Sequence, residues 1–187
     1  RLSAPAMRIH RRLESKVVRE ADGVIVVSAQ MKNELMVLRP KRINLITNGF
    51  DEEDWPNEPV DLDSKFSITH VGTLSRYFNP VILWEVLSDL CEEIEGFRND
   101  LVIRLVGQVD ATAIESIQKV NLQNNLESLG QVTHVEAVKF QRKSQVLLLV
   151  VNSSPNAMGI LTGKVFEYLA SGRMVLAVGP TYGDLAS

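Results

Sequence analysis

Ser67-Ile-Thr-His-Val71-Gly72-Thr73-Leu74-Ser75-Arg76 opens a pattern that recurs to the end of the chain: an apolar strand, a polar turn with glycine, then a helix. Asn79 stands where a helix cap is wanted, Pro80 where the first helical residue is wanted, and Gly96 near that helix's end. Leu101-Val-Ile-Arg-Leu-Val106 is the next strand, closed by Gly107, and Thr112 and Glu115 have capping-box spacing for the helix after it. A weaker strand surrounds Leu126 to Leu129, and Thr133 with Glu136 repeats the capping box ahead of Val146-Leu-Leu-Leu-Val-Val151. A helix through Glu167, closed by Gly172, and a strand from Met174 to Val178 complete the series. Five strands separated by helices predict a doubly wound parallel sheet. Their near-continuous apolar character is that of strands covered on both faces.

Outward from this unit the character changes. Residues 52–65 are acidic, carry Pro56 and Pro59, lack apolar periodicity, and read as a linker. Before them, Val24-Ile-Val-Val27, a helix from Met31 to Met36 with Ser28 as its N-cap, and Ile43-Asn-Leu-Ile46 form a βαβ unit. Met7 to Arg19 is predicted as a helix whose Ile9, Leu13 and Val17 face a core, with Arg8, Arg11, Arg12 and Lys16 in solvent. The chain starts at Arg1 without a methionine and stops at Ser187 after a glycine turn, so it reads as a fragment. The predicted organisation is an α/β remnant at 1–51, a linker at 52–65, and a Rossmann-like domain at 66–187, truncated at its C-terminus.

The composition excludes several classes. The 187 residues are 45% hydrophobic and 23% charged with a formal net charge of -3, which gives no reason to expect nucleic acid as a partner. Cys91 is the only cysteine, so no internal disulfide forms, and a reducing compartment fits. His10, His70 and His134 lack metal-ligand spacing, and no metal or other cofactor is expected. No apolar run reaches the roughly 20 residues that span a bilayer, and no signal peptide is visible.

In a sheet with strand order 3-2-1-4-5, ligands bind beyond the carboxyl ends of the first and fourth strands. Those ends are predicted at Gly72 to Arg76 and Asn152 to Lys164, which would bring two polar, glycine-bearing turns to one crevice. Gly72, Thr73 and Gly107 are turn residues there, Arg76 is a phosphate contact by position, and Gly159 and Gly163 let the backbone approach a ligand. Lys164 adds a charge near a helix N-terminus, and Glu167, one turn on, offers a carboxylate to ribose hydroxyls. Val165, Phe166 and Leu169 are predicted to form the apolar face of that helix, and Tyr168, Trp55 and Trp84 to be packing residues. A cation and a carboxylate in this arrangement suit a nucleotide-sugar. The spacing is neither a dinucleotide fingerprint nor a P-loop.

The order of landmarks resembles the retaining, nucleotide-sugar-dependent glycosyltransferases of family four, which have the two-domain GT-B fold. Ala21-Asp22-Gly23-Val24-Ile-Val-Val-Ser28 is similar to the end of that family's N-terminal domain, and Ile46-Thr47-Asn48-Gly49-Phe50-Asp51 to its Asn-Gly segment before the linker. Val71-Gly72-Thr73-Leu74, Leu105-Val106-Gly107 and Gly130-Gln131-Val132 resemble the family's glycine loop, second strand end and nucleobase segment. Lys164-Val-Phe-Glu167-Tyr-Leu-Ala-Ser-Gly172-Arg173-Met-Val-Leu is the strongest match. The resemblance implies a donor-binding C-terminal half, with Glu167 on the donor ribose and an N-terminal domain that holds the acceptor sugar or glycolipid and makes any peripheral membrane contact. It implies sugar transfer with retained anomeric configuration in cytoplasmic polysaccharide or glycoconjugate synthesis. No catalytic residue is assigned. Gly159 stands where the family often has a first glutamate, and Met174 where it has proline. A non-catalytic nucleotide-binding or scaffold domain, or a GT-B sugar-nucleotide epimerase, are the alternative readings.

Overall fold

Ser3 starts the first helix, α1 (Ala4–Glu20), by accepting a hydrogen bond from Ala6 N, with Pro5 in the first turn. The computed structural model describes residues 3–55, 59–151 and 157–186. Pro56 and Asn152, named above in the linker and the second turn, lie outside them. The described residues cluster into two compact units. One comprises those of Arg1–Asn48, Ser154–Thr162 and Pro180–Ser187, the other those of Gly49–Ser153 and Gly163–Gly179.

In the first unit α1 turns Val18 inward, whereas Ile9, Leu13 and Val17 are 59%, 54% and 66% exposed. The expectation that this stripe faces a core is corrected, because no element among the described residues covers it. β1 (Val24–Val26) and β2 (Ile43–Leu45) pair in parallel around α2 (Ala29–Met36), whose N-cap Ser28 accepts from Met31 N at 3.3 Å. The βαβ unit and its cap are as predicted. A 3₁₀ turn at Ala157–Gly159 belongs here too, and Asp184 ties it down by donating its N–H to Met158 O and accepting from Gln30 N, each at 2.8 Å.

The second unit alternates strand and helix: β3 (Phe66–Val71), α3 (Val81–Glu93), α4 (Phe97–Asp100), β4 (Leu101–Val106), α5 (Ala111–Lys119), β5 (Leu126–Gly130), α6 (His134–Lys143), β6 (Val146–Val150), α7 (Gly163–Ala170) and β7 (Met174–Val178). The sheet order is β5-β4-β3-β6-β7 with every pair parallel, which is the expected 3-2-1-4-5 order. The chain therefore changes direction across the sheet between β3 and β6. Ile68, Leu101, Ile103, Leu105 and Leu148 pack beneath Trp84, Leu87, Ala113 and Ile117 in one core. Burying each large apolar side chain contributes roughly 1.5–3 kcal/mol. No helix among the described residues is long and apolar enough to cross a membrane.

Two helix starts differ from prediction. Pro80 is the N-cap of α3, and Asn79 leaves the helix end to bind Trp84 Nε1, Ser116 Oγ and the Thr112 carbonyl. A buried indole N–H needs a partner, and Asn79 supplies it. Asp110, rather than Thr112, caps α5 by accepting from Thr112 N and Thr112 Oγ1. The Thr133–Glu136 capping box on α6 is present in both directions.

A cation lies inside the sheet. Arg104 on β4 is 5% exposed, donates to Glu127 directly opposite on β5 at 2.8 Å, and meets Asp63 at 2.6 Å. Asp63 N donates to Lys143 O, and Gln145 Nε2 to Asp63 O, each at 2.8 Å. The end of the acidic stretch is thereby bound to the sheet. Burial pushes the Asp63 carboxyl upward, but hydrogen bonds from Arg104 and Ser67 and the charges of Arg104 and Lys143 hold it below its ordinary value. Arg104→Met leaves Glu127 without a cation and the largely buried Asp63 with Lys143 alone, and is expected to destabilise this unit by about 3 kcal/mol. Urea unfolding checks this, and a loss below a few tenths of that amount would contradict it.

Candidate functional site

β3 and β4 end side by side in two glycines with positive φ, Gly72 at 119° and Gly107 at 116°. A Cβ on Gly107 would stand 2.5 Å from Gly72 O, so the two turns approach too closely for any side chain there. Past them the loops stay joined: Leu74 N donates to Gln108 O and Asp110 N to Leu74 O, each at 2.9 Å, with Leu74 fully buried. The turns bound a groove of about 400 Å³ lined by Gly72, Thr73, Gly107, Gln108, Gln131, Val132, His134 and Ala137.

α7 brings charge to this edge. The Lys164 side chain arches over Gly72, its Nζ and Cε taking the place that a Cβ there would fill. Burial holds the Lys164 ammonium below its ordinary pKa, and the carboxylate of Glu167 opposes that effect. Glu167 Oε2 accepts at 3.1 Å from Gln141 Nε2 on α6, a side chain only 1% exposed. The amide oxygen of Gln141, Oε1, is buried without a hydrogen-bond partner. Lys164 and Glu167 are thus held by the fold rather than free in solvent.

Tyr168 of α7 packs inside as expected, but the predicted place of Leu169 on the buried face is corrected. Leu169 is 64% exposed, and the fully buried residue is Tyr168, whose hydroxyl accepts from Val71 N at 3.0 Å. Beside it His70, 3% exposed, places Nδ1 3.0 Å from Leu148 O. Its Nε2 is buried with no hydrogen-bond partner of proper geometry, although the Thr73 backbone stands near enough to favour the charged ring. Burial and then the Lys164 charge outweigh the Leu148 and Thr73 backbone and push His70 down to about 4.

The predicted residues do not all converge. Gly72, Thr73, Gly107, Lys164 and Glu167 belong to this edge, and Gly163 is the first residue of α7. Arg76 is exposed, with Nη2 2.6 Å from Tyr77 Oη, its guanidinium 4.7 Å above that ring, and Asp110 as the nearby charge. Gly159 lies in the other unit, where a Cβ would be 3.4 Å from Gln30 and 3.5 Å from the Ser28 hydroxyl. His70, Gln108, Gln141 and His134 were not singled out as site residues. A histidine two places before a strand-ending glycine was the one local signal. No group of three or more His, Cys, Asp or Glu side chains that could hold a metal occurs among the described residues.

No protein-family model matches the sequence, and comparison with curated proteins gives no match. Solved structures do match. HepE of Anabaena, determined with UDP and glucose, superposes with a TM-score of 0.70 at 17% identity, covering 98% of this chain and 50% of that one. Sucrose-phosphate synthase of Thermosynechococcus elongatus gives 0.66 at 20% identity over 99% of this chain and 47% of that one. A TarM variant of S. aureus, in complex with Fondaparinux, alpha-GlcNAc-glycerol and UDP, gives 0.66 at 16% over 92% and 33%. The chain spans about half or less of the length of these structures. Its fold is that of GT-B glycosyltransferases, as the order of sequence landmarks implied.

Two outcomes test the site's geometry. Gly72→Ala forces a side chain into a left-handed turn and into Lys164, and is expected to cost more than about 1 kcal/mol, measured by thermal unfolding. Because the folded pKa of His70 is below its ordinary 6.5, the unfolded chain takes up the proton first. The stability due to neutral His70 is therefore whole above pH 6.5 and lost as pH falls to about 4. The loss amounts to about 3 kcal/mol. Urea midpoints across that range should show the fall, with a flatter slope in His70→Asn.

Proposed function

We propose that the edge formed by β3, β4 and α7 binds the nucleoside diphosphate of a sugar donor, and that the whole protein transfers the sugar to an acceptor hydroxyl. What carries this reading is the Lys164 ammonium held over the Gly72 turn, with Glu167 one helical turn further on. A partly desolvated cation in the first turn of α7, set over a glycine turn at a sheet's carboxyl edge, suits a diphosphate. Glu167, held by Gln141, accepts from ribose hydroxyls, and the groove past Gly107 takes the nucleobase between Val132 and Ala137. Gly163 and Thr73 contribute backbone at this edge, and Arg76 swings from Tyr77 toward the outer phosphate.

In the transfer the bond from the anomeric carbon to the diphosphate oxygen breaks, the acceptor hydroxyl oxygen bonds the same face of that carbon, and its proton passes to the departing diphosphate. Lys164 neutralises the charge that develops on the leaving diphosphate. Retention of configuration follows from the family resemblance. So do an acceptor sugar or glycolipid held by an N-terminal domain, a membrane contact through that domain, and a role in polysaccharide or glycoconjugate synthesis. The lone, buried Cys91 suits a cytoplasmic setting. One observation favours a second reading, a binding domain without catalysis: Gly159 stands where the family's first glutamate does.

Isothermal titration with UDP, ADP and GDP tests the donor site. At least one is expected to bind, and Lys164→Ala to weaken it about ten- to hundredfold. Failure of all three to bind would falsify the reading. Separately, transfer by a protein carrying the N-terminal part distinguishes the two readings: no transfer with any donor that binds favours the non-catalytic one.

A further inference from the structure

The register of β3 against β6 calls for a hydrogen bond that the fold does not use. Thr69 lies opposite Leu147, where the pairing stops, so a continued ladder would set Val71 opposite Leu149. In a parallel pair an N–H donates to the carbonyl of the residue before its opposite number. Across β3 and β4 this is seen where Gly72 N, which follows the Val71–Val106 pair, donates to Val106 O at 2.7 Å. Successive residues turn their N–H groups to alternate neighbours, so Val71 N–H faces β6 and its ladder partner is Leu148 O. That rung is open. Val71 N–H goes instead to Tyr168 Oη, and Leu148 O receives His70 Nδ1, each at 3.0 Å.

Two buried side chains from distant parts of the chain thus replace one backbone bond. His70 is 3% exposed and Tyr168 fully buried, so neither exchange is shared with solvent. The carbonyl of Leu148 requires the proton on Nδ1, which leaves Nε2 as an acceptor without a partner. Tyr168 lies four residues after Lys164 on α7, so both occupy one helix face, one turn apart. Seating the phenol in the open rung therefore sets where the Lys164 side chain leaves the helix relative to Gly72.

We infer that His70 and Tyr168 are positioning residues: they hold the carboxyl ends of β3 and β6 apart and seat Lys164 over the Gly72 turn. The part of this inference that concerns ligand rests on the donor site proposed above, whereas the open rung and the seat of Lys164 are independent of it.

The test uses the isotope-labelled chain with Tyr168→Phe, His70→Leu, His70→Asn and Lys164→Ala, each first shown by circular dichroism and thermal melting to be folded. Tyr168→Phe removes the acceptor of Val71 N–H, and its amide exchange is expected to quicken about tenfold or more. Acetylation of Lys164 by a small reagent should quicken in Tyr168→Phe and His70→Leu, because the ammonium leaves its seat. In both variants the dissociation constant for UDP is expected to rise about tenfold. His70→Asn, whose amide can still donate to Leu148 O, should stay near the parent, an outcome that a mere space-filling role does not predict. The inference is overturned if Tyr168→Phe and His70→Leu leave Val71 exchange and Lys164 reactivity unchanged. It is equally overturned if they bind UDP like the parent while Lys164→Ala does not. If Lys164→Ala and the parent bind UDP, ADP and GDP alike, the donor-site reading falls, and the two ligand-free measurements alone decide the positioning role.

Discussion

Every buried backbone donor and acceptor must find a partner, and this requirement is most pressing where two parallel strands begin to diverge, at the carboxyl ends of β3 and β6. Leaving one such group unpaired inside the sheet costs about 1–3 kcal/mol. Here the ladder stops at Thr69 and Leu147, and the next donor and acceptor are met by a phenol and an imidazole. The strands can then separate with both of these backbone groups paired, and the unpartnered atom is His70 Nε2 instead. Because the same helix that supplies the phenol carries Lys164, the divergence of the strands and the placement of the charge are one arrangement.

The electrostatics of the edge follow from that placement. An ammonium drawn over a glycine turn loses part of its hydration, and Glu167 compensates through its opposite charge. Gln141 fixes that carboxylate from α6. Gly72 has no Cβ because Lys164 is there, and Gly107 has none because the Gly72 carbonyl is there. An anion arriving at this edge meets a charge whose position and desolvation are already set, so less ordering remains to be done on binding.

Within the sheet, Arg104, opposite Thr69 on β3, plays a structural part. It joins β4 to β5 through Glu127 and to the segment before β3 through Asp63, with the Phe140 ring 5.4 Å from its guanidinium. The two carboxylates share one buried cation, and Asp63 also has Lys143 Nζ at 3.7 Å. The stretch that reads as linker in the sequence thus ends as part of the sheet's support. Its acidic composition suggested solvent, and only the burial of Arg104 shows where one of those charges goes.

Much of the architecture was legible from the chain itself. Strand and helix alternation, the Ser28 cap and the Thr133–Glu136 box depend on residues within a turn or two of each other, and local periodicity reports them faithfully, while the 3-2-1-4-5 order follows from the doubly wound class that the alternation indicates. The convergence of Gly72 with Lys164 followed from that strand order. What the sequence alone did not reveal involves partners far apart: His70 with Leu148 across 78 residues, Val71 with Tyr168 across 97, and Asn79 drawn from its cap position to Trp84 and Ser116. Periodicity marks a face as apolar but not which of its residues is buried, so Leu169, Ile9, Leu13 and Val17 lie outside. Those choices belong to the tertiary structure, because a buried polar atom is satisfied by whatever group the packed fold brings within about 3 Å, regardless of its place in the chain.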